Sequence, residues 1–177
     1  MHPIRRYALL VCLLSSVVVT SAVHARQAAQ AQKPVPAQTY EYQVVAVWRG
    51  IHEKILAMAK DWPESKYGWK PHPASRTMLE EFRHVTIGLE YSSAQLKGEK
   101  FDIDARIKAD EKKPKTRASM LSDMQSALVT SYDLVDAGPK PLLIFWIDHQ
   151  AEHYGKLVSN YRMNNIVPPT SRPKGGL

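Results

Sequence analysis

The sequence predicts an all-α protein, specifically an up-down antiparallel four-helix bundle. Four segments of about 20 residues repeat apolar side chains every three or four positions, which is the period of an amphipathic helix. Prolines and glycines separate these segments, and no stretch of useful length alternates apolar and polar residues as a strand would. Helices of about 20 residues are about 30 Å long. Four of them can bury their apolar stripes against one another.

The first predicted helix runs from Thr39 to Trp62. Its apolar positions are Val44, Val47, Ile51, Ile55, Met58 and Trp62. Because the residue before a proline disfavours the helical conformation, we expect the helix to end before Pro63. Residues 63–76 contain three prolines and two aromatic residues, Tyr67 and Trp69. This composition predicts an ordered connector whose aromatic side chains pack over the end of the helices.

The second predicted helix runs from Thr77 to Lys97. Thr77 and Glu80 have the spacing of a capping box, in which each side chain binds a free backbone N–H of the first turn. Gly98 is expected to end the helix because glycine adopts the left-handed conformation at a helix terminus without strain. Residues 98–115 are charged and are predicted to be irregular.

The last two predicted helices run from Thr116 to Ala137 and from Leu142 to Asn164. The third presents an inner face formed by Met120, Leu121, Met124, Leu128, Tyr132 and Val135. Glycine and proline in residues 138–141 make a tight break before the fourth. Asn165 is a suitable residue for the left-handed position after the fourth helix.

Residues 1–25 have the pattern of a secretory signal peptide. Arg5 and Arg6 precede an apolar run from Tyr7 to Val19, and small residues lead to a predicted cleavage site after Ala25. The run is shorter than the ~20 residues that a membrane span requires. Residues 26–38 are rich in alanine, glutamine and proline and are predicted to form a flexible leader. The folded domain is therefore predicted over residues 39–177, in a periplasmic or secreted protein.

The composition of the predicted mature chain excludes several classes of function. The sole cysteine, Cys12, lies in the signal peptide, so thiol nucleophiles, disulfides and cysteine-bound zinc are excluded. The formal charge of +7 falls to +5 when Arg5 and Arg6 are removed. The remaining charge is scattered and interleaved with acidic residues, which argues against a nucleic-acid surface. The mature chain is also predicted to have no stable membrane span.

Two histidines four residues apart, His149 and His153, are the strongest candidates for chemistry. On a helix their Cβ atoms are about 5–6 Å apart, and both imidazoles can then reach one metal ion. They belong to an apolar stripe with Leu142, Trp146 and Leu157, so they are expected to face inward. A pair of hydrogen-bonded structural histidines is the alternative interpretation, because two-residue motifs recur by chance.

His84 is the third candidate and lies at the border of the apolar face of the second helix. Gly88 follows it by one turn and is expected to leave space beside the imidazole. A boundary histidine without a ligand is the alternative. Of the other histidines, His52 is predicted at a boundary and His72, between two prolines, is predicted to be exposed.

Three neutral imidazoles and a water molecule would form an open metal site of the catalytic type. The ion would act as a Lewis acid or lower the pKa of its water. Glu152 and Glu90 are candidates for a catalytic base or an orienting group, and solvated helix charges are the alternative. The motif from His149 to His153 also matches an inverted zinc-protease motif, but that class needs a later carboxylate ligand. No Asp or Glu follows Glu152. Phosphate loops and serine nucleophile elbows are absent from the sequence as well.

The chain resembles the DinB-like family of metal-binding four-helix bundles, which is grouped with bacillithiol- and mycothiol-dependent transferases. The resemblance covers most of the mature chain. It is carried by Glu152-His153-Tyr154-Gly155, Leu157-Val158, Arg162, Ile166-Val167-Pro168-Pro169 and, earlier, Pro63-Glu64, Tyr67, Trp69, Pro71, Arg76-Thr77 and His84. It implies that His84, His149 and His153 bind one divalent ion and that the protein can form a homodimer. Three imidazoles suit zinc, nickel, copper or iron, and zinc or nickel is the expected ion.

Three functions remain open at the level of sequence. The first is a metal-dependent transferase or hydrolase acting on an unknown small molecule, with Glu152 as the candidate catalytic residue. The second is a non-catalytic exported bundle that binds a metal or another ligand. The third is a bundle without metal, in which the histidines are structural or contact a partner.

Overall fold

The computed structural model describes residues 39–138 and 141–173. The predicted signal peptide, residues 1–25, and the predicted leader, residues 26–38, lie outside this part of the chain. The described residues form five α-helices and no strand. The helices are α1 (Tyr40–Asp61), α2 (Met78–Lys97), α3 (Ile103–Glu111), α4 (Arg117–Asp136) and α5 (Leu142–Met163), with short 3-10 turns at Glu64–Lys66 and Pro169–Ser171.

The four long helices begin and end within one or two residues of the predicted positions. Thr77 forms the predicted capping box, with its side chain accepting from the Glu80 N–H and Glu80 accepting from the Thr77 N–H. Gly98 has a φ of 77° and Asn165 a φ of 57°, so both adopt the left-handed conformation expected after α2 and α5. Local sequence therefore determines these termini. No described helix combines the length and apolarity needed to cross a bilayer.

The prediction that residues 98–115 are irregular is wrong, because α3 lies within them. Asp102 caps α3 by accepting from the Ala105 N–H at 2.9 Å. The helix contains no buried residue and so lacks the apolar stripe that reveals the other four. Ion pairs hold it to α2: Arg106 contacts Glu90 at 2.6 and 2.9 Å, and Arg83 contacts Asp110 at 2.7 Å. Its position depends on these charges more than on buried apolar surface.

Hydrogen bonds between helices give their directions. The backbone N–H and side chain of Arg117 bind Glu64 and the Trp62 carbonyl, so α4 begins where α1 ends. The first turn of α2 also begins there, through the bond from the Met78 N–H to Trp69. The Tyr161 hydroxyl, near the end of α5, binds the Met58 carbonyl at the same end of α1.

The four long helices therefore run up, down, down and up. The short α3 carries the chain from the end of α2 back to the end of the bundle where α4 begins. The expected simple alternation of four helices needs this correction. It failed because α3 was not foreseen, and α3 is the segment that lets α2 and α4 run parallel. Helix α1 packs on α4 and α5, and α2 packs on the same two helices.

The apolar core lies between the four long helices. Its fully buried side chains include Trp48, Phe82, Met124, Leu143 and Leu157. The connector closes one end of this core as predicted, because Tyr67 is buried and the rings of Trp62 and Trp69 are 6.2 Å apart. Two predicted core positions, Val47 and Leu142, are instead exposed.

Replacing Glu90 with glutamine is expected to loosen α3 without unfolding the rest of the protein. The change removes the negative charge opposite Arg106, and partly exposed pairs of this kind contribute about 1 kcal/mol or less to global stability. Hydrogen–deuterium exchange across residues 103–111 should accelerate, while the urea midpoint changes little. Lys97→Gln is the matched control, because Lys97 pairs only loosely with Glu99 at 3.8 Å. Unchanged exchange in α3 would contradict the electrostatic docking.

Candidate metal centre

The three candidate histidines meet between α2 and α5. His84 comes from α2, and His149 and His153 occupy successive turns of α5. One ring nitrogen from each residue lies within 4.8 Å of those of the other two. The antiparallel packing of α2 on α5 brings His84 to the level of the other two. The ring centroids of His84 and His153 are 4.8 Å apart, and those of His84 and His149 are 6.0 Å apart.

The spacing of the ring nitrogens fits a single metal ion. The Nε2 atoms of His149 and His153 are 3.2 Å apart. Two nitrogens that each lie about 2.0–2.1 Å from a tetrahedral zinc ion are about 3.3 Å from each other. The pair is therefore already close to the separation that a shared ion requires. A set of three imidazoles also leaves a fourth coordination position open.

A buried carboxylate, Glu81, orients one of the candidate ligands. It is 1% exposed and accepts a hydrogen bond from His153 Nδ1 at 2.7 Å and another from Lys156 Nζ at 2.8 Å. Since an ionised carboxylate only accepts, the Nδ1 atom of His153 carries the proton. The Nε2 lone pair then faces the cluster. Such carboxylate–histidine pairs fix the ring and increase its basicity towards a metal.

The pKa shifts favour an ionised Glu81. Burial raises the pKa of this carboxyl group, but the hydrogen bonds from His153 and Lys156 outweigh burial and lower the pKa to about 2. Glu81 is therefore negatively charged at neutral pH and available to pair with His153.

The pKa shifts of two histidines favour neutral rings. Burial, followed by the positive charge of Arg76, lowers the pKa of His84 to about 4. Burial also lowers the pKa of His149. Neutral imidazoles are the form that binds metals, so His84 and His149 need lose no proton at pH 7.

The two glutamates proposed from sequence lie in different surroundings. Glu152 is exposed on α5, and its charge raises the pKa of His149 against the larger effect of burial. It is close enough to influence that histidine, and its catalytic role stays a prediction. Glu90 forms the ion pair with Arg106 that holds α3, so its carboxylate has a structural role.

The space expected beside Gly88 is filled by a glutamine. A Cβ atom added to Gly88 would lie 3.2 Å from the side-chain nitrogen of Gln150. Gln150 is fully buried, and among the described residues neither of its amide atoms has a hydrogen-bond partner. Gly88 therefore permits close approach of α5.

Two histidines outside the cluster, His72 and His52, lie in different surroundings. His72 is exposed as predicted. His52 was expected at a boundary but is 1% exposed, with its Nδ1 atom 2.8 Å from the Trp48 carbonyl oxygen. The prediction failed because His52 follows Ile51 within the buried face of α1, where a neutral imidazole can replace an apolar side chain.

Sequence reasoning missed the charged residues that surround the histidines. Glu81 lies three residues before His84 and Lys156 three residues after His153, so helical spacing places each on the ligand face. Arg76, just before α2, lies 3.9 Å from Glu81. The available signal was this spacing, which is weak because charged residues at three-residue intervals are common on exposed helices.

No family model matches the chain, and no curated protein matches it either.

Proposed function

We propose that this chain is an exported, DinB-like four-helix bundle that binds one divalent transition-metal ion through His84, His149 and His153. We further propose that it is a metal-dependent transferase or hydrolase acting on a small molecule rather than on nucleic acid. The observation that carries the proposal is the convergence of the three imidazoles together with the buried Glu81 beside His153.

The chemistry of the donors supports zinc or nickel, which accept imidazole ligands. A bound ion would supply Lewis-acid chemistry at its open coordination position. His153 holds its Nε2 lone pair towards the cluster because Glu81 fixes the proton on Nδ1. Lys156 keeps Glu81 ionised and fixed in place. Glu152, exposed near His149, is the residue we propose as general base.

The proposals of export and of quaternary structure have separate support. Export is supported by the signal-peptide pattern of residues 1–25, which implies a periplasmic or secreted location. A homodimer is supported by the resemblance to the DinB-like family. Chromatography coupled to light scattering tests the dimer, and the N-terminal sequence of the protein purified from its native host tests cleavage after Ala25.

A non-catalytic metal- or ligand-binding role is the second candidate. One observation favours it: Glu152, the proposed base, is exposed, and the carboxylate in contact with the histidines, Glu81, already accepts hydrogen bonds from His153 and Lys156. A base that is engaged in this way is poorly placed to take a proton from substrate. Turnover of any small molecule that disappears on chelation and returns with zinc would exclude this alternative as the whole function.

Elemental analysis after equilibration with zinc or nickel tests metal binding directly. We expect about one equivalent of metal in the wild-type protein and its loss in His84→Ala, because His84 is the ligand that joins α2 to the pair on α5. His72→Ala is the matched control and should retain the metal, since His72 is exposed on the connector. Full metal content in His84→Ala, or no metal in the wild-type protein, would overturn the three-histidine site.

A further inference from the structure

A cleft between α2 and α3 borders the histidine cluster. Its volume is about 320 Å³, and its walls include Arg76, His84 and Ile87 on one side and Ile107 of α3 on the other. Ile107 is 39% exposed although it is a large apolar residue. An apolar side chain that faces an open cleft next to a candidate metal centre is suited to contact a ligand.

Arg76 provides the charged group of this cleft. Its side chain is 45% exposed, and its ion-pair contact is with Glu81 at the long distance of 3.9 Å. Glu81 is already neutralised by Lys156 at 2.8 Å. The guanidinium therefore retains most of its capacity to bind another anion. Arg76 and His84 line the same cleft, which places the guanidinium close to the candidate ligands.

The local charges favour an anion at the end of the cleft beside the histidines. Lys156 and Arg76 carry two positive charges against the single negative charge of Glu81. The proposed ion would add two more positive charges. The cleft is also lined by Glu80 and Glu111, and by Arg83 and Asp110, which pair with each other at 2.7 Å. The preference for an anion consequently depends on Arg76. Arginine binds carboxylates with two parallel hydrogen bonds, which gives direction as well as affinity.

We propose that this cleft is the substrate-binding subsite, and that it takes a small carboxylate with a short apolar chain. Arg76 binds the carboxylate beside the histidines, and the chain lies between Ile87 and Ile107. This inference rests on the proposed metal-dependent function, and it specifies the class of substrate. It also gives α3 a role, because this helix supplies the outer wall although it buries no residue of its own.

Calorimetric titration with hexanoate, hexanol and hexylamine tests the subsite. The three probes share a chain of six carbons and differ in charge. We expect hexanoate to bind both zinc-loaded and metal-free protein about tenfold or more tightly than hexanol, since hydrogen bonds to a charged group contribute that much. Hexylamine should bind no better than hexanol. Equal binding of hexanoate and hexanol, or preferential binding of hexylamine, would overturn the proposal.

Variants test whether hexanoate is bound by Arg76 or is attracted only by the positive charge of the metal. Arg76→Gln should lose the tenfold advantage of hexanoate in both metal states, and Arg76→Lys should keep part of it. Arg49→Gln is the matched control, because Arg49 pairs with Asp136 between α1 and α4. Ile107→Ser should weaken hexanoate about fourfold or more and leave acetate unchanged, given the value of each buried methylene group. Unchanged hexanoate affinity in Arg76→Gln would overturn the subsite.

The metal content of each sample separates this inference from the proposed function. Metal binding together with equal affinities for hexanoate and hexanol would overturn the subsite and leave the metal centre standing. Binding of hexanoate that depends on Arg76 in a protein that takes up no zinc or nickel would support the subsite and overturn the metal centre. Circular dichroism of Arg76→Gln checks that the helices remain folded.

Discussion

Replacing His153 with alanine is expected to abolish metal binding and also to destabilise the metal-free fold. His153 donates one of the two short hydrogen bonds that Glu81 receives, and Glu81 is 1% exposed. Among the described residues, its loss leaves the buried carboxylate with Lys156 alone at hydrogen-bond distance. Leaving a buried polar group short of a partner costs about 1–3 kcal/mol. Urea unfolding of metal-free protein and metal titration measure the two effects.

His149→Ala is the matched control for the effect on stability. His149 also belongs to the cluster, but its Nε2 contact is with His153 rather than with the buried carboxylate. We expect this variant to lose the metal while its metal-free stability falls by less than that of His153→Ala. Equal losses of stability in the two variants would contradict the role assigned to the pair of Glu81 and His153.

Changing Glu81 to glutamine separates the charge of this residue from its hydrogen bond. Glutamine still offers an oxygen to His153 Nδ1 but carries no negative charge. Second-sphere changes of this kind typically weaken metal binding about 10- to 100-fold. We therefore expect a lower zinc affinity with the three histidines intact, measured by competition with a chelator. An unchanged affinity would show that Glu81 acts on the fold alone.

The four long helices could be predicted because their signals are local. Apolar side chains at helical spacing define each stripe, and Thr77, Gly98 and Asn165 mark termini by their own conformational preferences. Helix α3 lacked such a signal, because ion pairs from Arg106 and Arg83 to other segments hold it in place. Pairing between charges distant in sequence leaves no periodic pattern along the chain.

The histidine site could be predicted only in part. The four-residue spacing of His149 and His153 places both on one helix face, and this is a property of the sequence. The contribution of His84 depends on the register of α2 against α5. The pattern alone left His84 as a border residue, and the resemblance to the DinB-like family suggested its role. Glu81 was missed because an acidic residue in the first turn of a helix usually interacts with the helix terminus.

His52 illustrates the opposite error, because a buried histidine was assigned to a boundary. Its ring packs against Trp48 with centroids 4.3 Å apart, and its Nδ1 atom contacts the Trp48 carbonyl oxygen. The remaining ring nitrogen, Nε2, has no hydrogen-bond partner among the described residues. Burial lowers the pKa of His52 to about 4, and the backbone hydrogen bond opposes this shift in part.

The buried His52 is expected to make the metal-free protein sensitive to acid. The ordinary pKa of a histidine is about 6.5, so between pH 6.5 and pH 4 the unfolded chain binds a proton that the folded protein excludes. The free energy of unfolding therefore decreases as the pH falls through this range. A difference of about 2.5 pKa units corresponds to roughly 3 kcal/mol. Above pH 6.5 His52 is neutral in both the folded and the unfolded chain, so this loss of stability is absent there.

His52→Phe isolates this contribution, because phenylalanine keeps an aromatic ring against Trp48 and cannot take up a proton. We expect similar stability at pH 7 and a flatter dependence on pH, so that near pH 4 the variant is more stable than the wild-type protein. His84 titrates in the same range in both proteins and cancels from the comparison. His72→Phe, at an exposed site, should follow the wild-type curve. The free energy of unfolding is measured with urea at each pH. If it changes with pH in the same way in His52→Phe and in the wild-type protein, protonation of the buried imidazole does not destabilise the fold.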